Sequence, residues 1–168
     1  MSSSSLAIRL ETDGDACILS ELSAQAFGPG RFARSAYRVR EGVPPVRGLS
    51  LCAILDEKLV GGIRFTAIRI GDREGALLLG PLVVDPAAAG KGVGRTLVEQ
   101  GLGRAKAQGF GLVLLVGDMP YYGRFGFQPV APGTITLPGP VDPARLLALE
   151  LSPGKLQGVA GQVKGYAR

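Results

Sequence analysis

The chain of 168 residues has no histidine, no tryptophan and only two cysteines. Each shortage removes a class of chemistry. Without histidine, no imidazole can act as a general base, so a proton taken up near neutral pH goes to another side chain or to water. Cys17 and Cys52 lack metal-type spacing, and a lone pair in a domain of this length is not a disulfide framework, so both read as buried thiols and no metal site is expected. The basic residues are scattered and no basic-aromatic motif accompanies them, which argues against a nucleic-acid-binding module. The start, "MSSSSLAIRLE", has no basic stretch followed by the roughly 7–15 apolar residues of an export signal. No run approaches the ~20 apolar residues of a membrane span. The expected compartment is therefore the cytoplasm, with neither membrane nor nucleic acid as partner.

What is present describes a self-folding globular domain: 46% of residues are hydrophobic and 20% charged, proportions unlike those of disordered or coiled-coil chains. The length suits one domain over residues 1–168. The 26 glycines and 12 prolines fall between periodic segments and act as turn punctuation, not as a low-complexity tract. A formal charge of +5 is open to two readings, a solvated surface or a meeting with a small phosphorylated ligand.

In chain order, "LAIRL" (6–10) reads as a strand, followed by a helix capped at Thr12 or Asp13 and ended by Gly28-Pro29-Gly30. A second helix, 31–40, stops before Pro44 and Pro45. Residues 49–55 and 59–70 form a hairpin across Asp56-Glu57, and after Gly71-Asp72 the stretch "GALLLGPLVV" (75–84) supplies a third strand. From about 92 to 108 the apolar positions Leu97, Val98, Leu102 and Ala105 share one helical face, with Gly109 as the C-terminal cap. Residues 110–117, continuously apolar, suit a buried parallel strand. A short helix around "PYYGRF" follows, then a Pro-rich segment with a strand at 134–137. "ARLLALEL" (144–151) fits either strand or helix, and "GQVKGYAR" fits a last edge strand.

Gly90, Gly92 and Gly94 stand between the strand ending in "LVVDP" and the helix. A helix start carries unpartnered N–H groups and partial positive charge, and glycines let a phosphate approach them. A tight strand-to-helix connection would also use glycines. Neither the P-loop nor the dinucleotide fingerprint fits, because Lys91 precedes Gly92 and Arg95 falls where the fingerprint needs its third glycine.

In combination, "LGPLVVDP", "AAAGKGVG" and "PYYGRFGF" resemble the Gcn5-related N-acetyltransferases, the GNAT superfamily, and its small bacterial members. Leu82, Val84 and Pro86 match the strand of the acyl-CoA motif, and Gly92 and Gly94 its glycines. Ala89 departs, standing where the family usually has Gln or Arg. The resemblance is strong over residues 77–129 and topological elsewhere. It implies an α/β domain with a central, mostly antiparallel mixed sheet flanked by helices, and acetyl-CoA as cosubstrate. The main chain of Leu82, Val83 and Val84 would meet the pantetheine arm. Lys91, Gly92, Val93, Gly94, Arg95 and Thr96 would wrap the pyrophosphate, Arg95 alternatively being an ordinary surface arginine.

Tyr122 occupies the tyrosine position of the family's Tyr-x-x-x-Gly-Phe, ahead of Gly126 and Phe127. The implied role is general acid toward the departing thiolate, for which a phenol protonated at neutral pH is suited; Tyr121 is the second choice. Asp118 is a candidate base or amine-recognition group, or a cap for the short helix; Glu11 and Glu21 are further carboxylates. Arg34, Arg38 and Arg40 would suit an acidic or phosphorylated acceptor, or else form the solvated face of an amphipathic helix. The expected activity is direct transfer of an acetyl group to a primary amine on a small molecule or peptide. A CoA-binding protein without transfer, and transfer of a longer acyl group from CoA or a carrier protein, remain alternatives. Sheet edges leave a homodimer open.

Overall fold

A computed structural model describes residues 5–28 and 35–166, and its elements follow the periods of the sequence. Strand β1 (Leu6–Leu10) leads to helices α1 (Ala16–Phe27) and α2 (Ser35–Arg40). Then come β2 (Leu51–Leu55), β3 (Lys58–Ile70) and β4 (Arg73–Val84). Helix α3 (Val93–Ala107) connects β4 to β5 (Leu112–Val116), and α4 (Met119–Tyr122) follows directly. The remainder is β6 (Gln128–Pro129), β7 (Ile135–Thr136), β8 (Leu146–Glu150) and β9 (Gly161–Gly165). The expected helix at 31–40 is described from Ser35 onward; Arg34 lies outside the described residues.

The sheet order is β1-β2-β3-β4-β5-β8-β6, with β9 pairing both β3 and β7. Neighbours are antiparallel except β4 with β5 and β7 with β9. This is the architecture expected from the sequence: a mixed, mostly antiparallel open sheet with flanking helices. The Asp56-Glu57 turn has positive φ at both residues, 49° and 69°, the backbone of a two-residue hairpin turn that matches strand twist. The ambiguous stretch at 144–151 is a strand because it closes the far edge of β5, from Leu112 opposite Glu150 to Val116 opposite Leu146. The expected last strand at "GQVKGYAR" is present as β9, but it pairs with both β3 and β7 and so is not an edge strand.

Helices cover both faces of β3, and two adjacent glycines make this possible. A Cβ at Gly61 would lie 3.1 Å from Val93 of α3, while one at Gly62 would lie 2.6 Å from Leu19 of α1. Successive strand residues point to opposite faces, so α1 and α3 sandwich the strand. On the α3 side, Val93, Leu97, Val98, Gly101 and Ala105 are buried against Ile63, Phe65 and the centre of the sheet. Leu102 is only partly buried at the margin of this core. Gly101 takes the close approach instead, since a Cβ there would stand 2.7 Å from the Phe65 ring.

Cys52 is buried, but Cys17 is exposed, contrary to expectation. Cys17 follows Ala16 on the outer side of α1, whose inward residues are Leu19, Leu22 and Ser23. Among the described residues no helix is long and apolar enough to cross a membrane.

The start of α1 is tied to β1 by Asp15. Its carboxylate accepts hydrogen bonds from Arg9 Nη1 at 2.7 Å and Nη2 at 2.8 Å, from the Thr12 amide at 2.7 Å and from Thr12 Oγ1 at 3.0 Å. The Arg9 bonds, joined by those of Thr12, hold the Asp15 carboxyl well below the usual carboxylate range despite burial. A depressed folded-state pKa contributes stability above the unfolded value, about 3.9, and that contribution is lost as pH falls toward the folded value. Asp15→Asn is expected to lower stability near pH 7 by about 1–2 kcal/mol. In urea titrations at successive pH values, the gap between parent and variant should narrow below about pH 4; a gap independent of pH would refute the linkage.

Candidate active site

The geometry of the site begins where two parallel strands part. Strands β4 and β5 pair only from Ala76–Leu112 to Leu78–Leu114. Beyond Leu78, β5 continues alongside β8 while β4 stays with β3. The register between β3 and β4 shifts there, so that Gly80 and Pro81 together oppose Arg64. Such a bulge bends its strand, and proline cannot donate to a ladder. The result is a cleft of about 390 Å³ between Leu79–Leu82 on one side and Leu115–Asp118 on the other, with Tyr122 and Arg145 in its wall. On this side the edge of β4 beyond Leu78 has no strand partner among the described residues. Leu82 and Val84 are partly buried and Val83 is buried, so what these residues can offer a ligand is main chain.

At the end of β4, Asp85 caps a short turn over Pro86–Ala88 by accepting from the Ala87 amide at 3.0 Å. Gly90 and Gly92 then adopt φ of +78° and +76°, and the space where a Cβ would stand is open at both. Here left-handed backbone requires glycine, and the surface above it is accessible. The first bond of α3 runs from the Thr96 amide to the Gly92 carbonyl, 3.0 Å. It leaves the amides of Val93, Gly94 and Arg95 ahead of the ladder, at the positive end of the helix dipole. Thr96 Oγ1 also donates to the Gly92 carbonyl at 2.8 Å, fixing this turn. Lys91 is exposed. The Val93 side chain is buried in the core, and Arg95 donates to Glu99 at 2.9 Å along the helix surface.

Gly94 behaves differently from the other two glycines. A Cβ there would meet the Tyr121 hydroxyl at 2.6 Å and Val84 at 3.6 Å. Its missing side chain admits Tyr121 and does not leave open space for a ligand. Tyr122 turns the other way, edge-on to Tyr121 with ring centroids 4.8 Å apart and packed on Phe127 at 5.9 Å. Of the two tyrosines, it is Tyr122 that lines the cleft. Burial, reinforced by Tyr121 and Asp118, pushes its phenol up to about 12.

Asp118 precedes α4 without forming a side-chain cap. It is exposed, lies in the wall of the cleft, and faces Arg145 at 3.6 Å. Arg145 had no signal in the sequence; it arrives through β8, whose approach is set by the Gly117 amide donating to the Arg145 carbonyl at 2.9 Å.

The pattern of the Acetyltransferase (GNAT) family matches residues 19–127. The chain belongs to this family. YjhQ of Escherichia coli (strain K12), an uncharacterized N-acetyltransferase, is 34% identical over 120 residues, 70% of this chain and 66% of YjhQ, slightly under two thirds of that relative. YhbS of the same organism, also an uncharacterized N-acetyltransferase, is 29% identical over 159 residues, 94% of both chains. The crystal structure of E. coli YhbS in complex with CoA has a TM-score of 0.83 at 27% identity, covering 99% of this chain and 92% of that one. A GNAT family acetyltransferase from Brucella melitensis, in complex with acetyl-CoA, has a TM-score of 0.68 at 28% identity and 96% coverage of both. The relatives and the fold support acyltransferase activity.

This GNAT chain has a second cavity, of about 510 Å³, on the α1 face of the sheet. It is walled by α1 and α2 and floored by Gly62, Arg64 and Thr66 of β3, and it shares Tyr37, Arg40 and Pro81 with the first cleft. The arginines singled out in α2 have separate fates. Arg38 donates to the Pro138 carbonyl at 3.0 Å and straps α2 to the segment after β7, while Arg40 faces both cavities. Glu11 is bound to Arg64 at 2.8 Å, and Glu21 lines neither cavity. Glu41, passed over in the sequence, lies at the cavity; its position right after Arg40 was the available signal.

With Tyr122 pushed up to about 12, one resonance in ¹³Cζ-tyrosine NMR is expected to keep its phenol position through about pH 11, above the usual tyrosine value near 10. Its absence from Tyr122→Phe assigns it; a Tyr122 signal that shifts near pH 10 refutes the burial effect.

Proposed function

We propose that the protein moves an acetyl group from acetyl-CoA to a primary amine by direct transfer. The observation that carries this is the cleft formed where β4 leaves β5, with unpaired β4 main chain on one side, Tyr122 in its wall and the open glycine turn at the end of the strand. The amides and carbonyls within residues 79–84 that face away from β3 suit the amide groups of a pantetheine arm, which would lie along the edge as an added strand. The amides of Val93–Arg95, which precede the α3 hydrogen-bond ladder, and the open glycine turn suit a pyrophosphate. Lys91 adds charge beside it. Complexes of E. coli YhbS with CoA and of the Brucella protein with acetyl-CoA support the same donor for this chain.

In the reaction, the neutral amine attacks the acetyl carbonyl, a C–N bond forms, and the C–S bond breaks to release CoA thiolate. Tyr122 gives its phenolic proton to that sulfur. The phenol is protonated at neutral pH, and after attack the proton shed by the new amide nitrogen passes to water while solvent reprotonates Tyr122. Asp118, open to water in the same cleft, attracts the incoming ammonium and takes its proton directly or through water. Its pairing with Arg145 holds it toward the cleft. The donor is held beside these groups, so much of the acceleration comes from orientation.

Two substitutions separate binding from chemistry. Tyr122→Phe should lower kcat by about 10²–10⁴-fold while the CoA dissociation constant, read by calorimetry, stays within about threefold; equal kcat in mutant and parent ends the assignment. Gly92→Val places a β-branched residue at φ +76° and crowds the turn. It should weaken CoA binding by at least about tenfold, and a folded variant with unchanged affinity removes the glycine turn from the donor site. Thiol release across a panel of amines then reads transfer itself, and binding of acetyl-CoA without release on any amine would overturn the transfer reading.

A further inference from the structure

Arg40 is placed unlike any other cation in the described chain. It ends α2, is partly buried, and lies in the wall of both cavities at their junction. Its guanidinium stacks on the Tyr37 ring with Cζ 4.4 Å from the centroid. It also reaches the β4 bulge, where a Cβ on Gly80 would lie 3.0 Å from Nη1. Glycine at position 80, with φ of +135°, is therefore what allows the guanidinium to sit against the strand. Yet among the described residues Arg40 forms no ion pair. The neighbouring Arg64 is already satisfied by Glu11 at 2.8 Å, and Glu41 lies exposed. Burial lowers the Arg40 pKa to about 10, with Tyr37 opposing the shift and Arg64 adding to it, which still leaves the group charged at pH 7. Buried charges in folded proteins are ordinarily paired, and a guanidinium fork is shaped to pair with a carboxylate through two hydrogen bonds.

We propose that Arg40 binds a carboxylate of the acceptor, so that the acceptor is a small amine that also carries a carboxylate, of the amino-acid class. The inference rests on the acetyl-transfer reading above. An acceptor whose carboxylate meets Arg40 spans the junction between the two cavities. Its amine extends past Pro81 into the donor cleft toward Tyr122, and its side chain stays in the second cavity. That cavity is apolar over Leu19, Val43 and Val83, with hydroxyls at Ser20, Ser23 and Thr66. This lining suits an apolar or hydroxylated side chain better than a charged one. Arg40 is a binding and orienting group here, and the proton steps belong to other residues.

The test uses the whole protein with CoA bound. N-acetylated standard amino acids, which are the products of such a transfer, are titrated beside their carboxamides, and thiol release is measured for the corresponding amino acids and amides with acetyl-CoA. At least one acid should bind about 10–100-fold more tightly than its amide, the range set by losing a charge-assisted pair. The same acid should show the larger kcat/KM, mostly through KM. Arg40→Met should erase the difference between acid and amide, and Arg40→Lys should keep part of it, with CoA affinity unchanged in both. Equal binding of every acid and its amide, binding of none of them, or discrimination that survives in a folded Arg40→Met protein overturns the proposal. A loss of CoA affinity in Arg40→Met also overturns it, by moving Arg40 to the donor. Parent protein that fails to bind CoA sinks the donor reading, whereas parent protein that binds CoA and ignores the carboxylate sinks only the role of Arg40.

Discussion

The site depends on a hydrogen-bond ladder that stops. Parallel pairing of β4 with β5 ends at Leu78 and Leu114, after which each strand keeps its outer neighbour and gives up the inner one. Backbone amides and carbonyls left without partners in a protein interior are costly. Here they border a cleft, where water or a ligand can satisfy them. The bulge at Gly80 and Pro81 sets the place of separation, because two residues oppose Arg64 and one of them has no N–H to give. Every group assigned to chemistry reaches the cleft from an element anchored on one side or the other of this fork.

The fork also explains why helices carry so much of the electrostatics. Helix α3 connects β4 to β5 and starts at the open glycine turn after β4, where the partial positive charge of a helix start complements an anion. At the opposite end of the same region, α4 begins directly after β5, so Tyr122 is carried by a short, well-packed turn among Tyr121, Phe125 and Phe127. Aromatic packing holds the phenol and also removes water from it, which is the physical origin of its raised pKa. Helix α2 brings to the same junction a cation with no ion-pair partner among the described residues, completing a site that is polar at a few points and apolar elsewhere, as small-molecule sites usually are.

Much of this was legible in local sequence. The "LVVDP" strand end, the glycines and the helix period are short-range signals, and α3 and the strand before it fall where they indicate. The Tyr122 position was legible through the spacing to Gly126 and Phe127. Long-range facts were not. The strand at 144–151 needed β5 as a partner before its pattern could be resolved, and Arg145 reaches Asp118 only through that pairing. Gly94 looked equivalent to Gly90 and Gly92 in the text of the chain, but its space is claimed by Tyr121 from another element. Cys17 and the divergence between Arg38 and Arg40 follow the rotation of helices against neighbours, which helical periodicity alone leaves free at the ends of short or weakly amphipathic segments.

One further property follows from how the two cavities draw on the chain. All residues around the second cavity come from positions 16–83, whereas the first cleft draws on positions from 27 to 145. The two share only Tyr37, Arg40 and Pro81. Along the gene, the walls proposed to choose the acceptor are thus written almost entirely ahead of the glycine turn and the Tyr122 segment. Exchange or drift in the first half of the chain could retune selectivity while leaving the donor apparatus intact, which makes this architecture an easy one from which to evolve new acceptors.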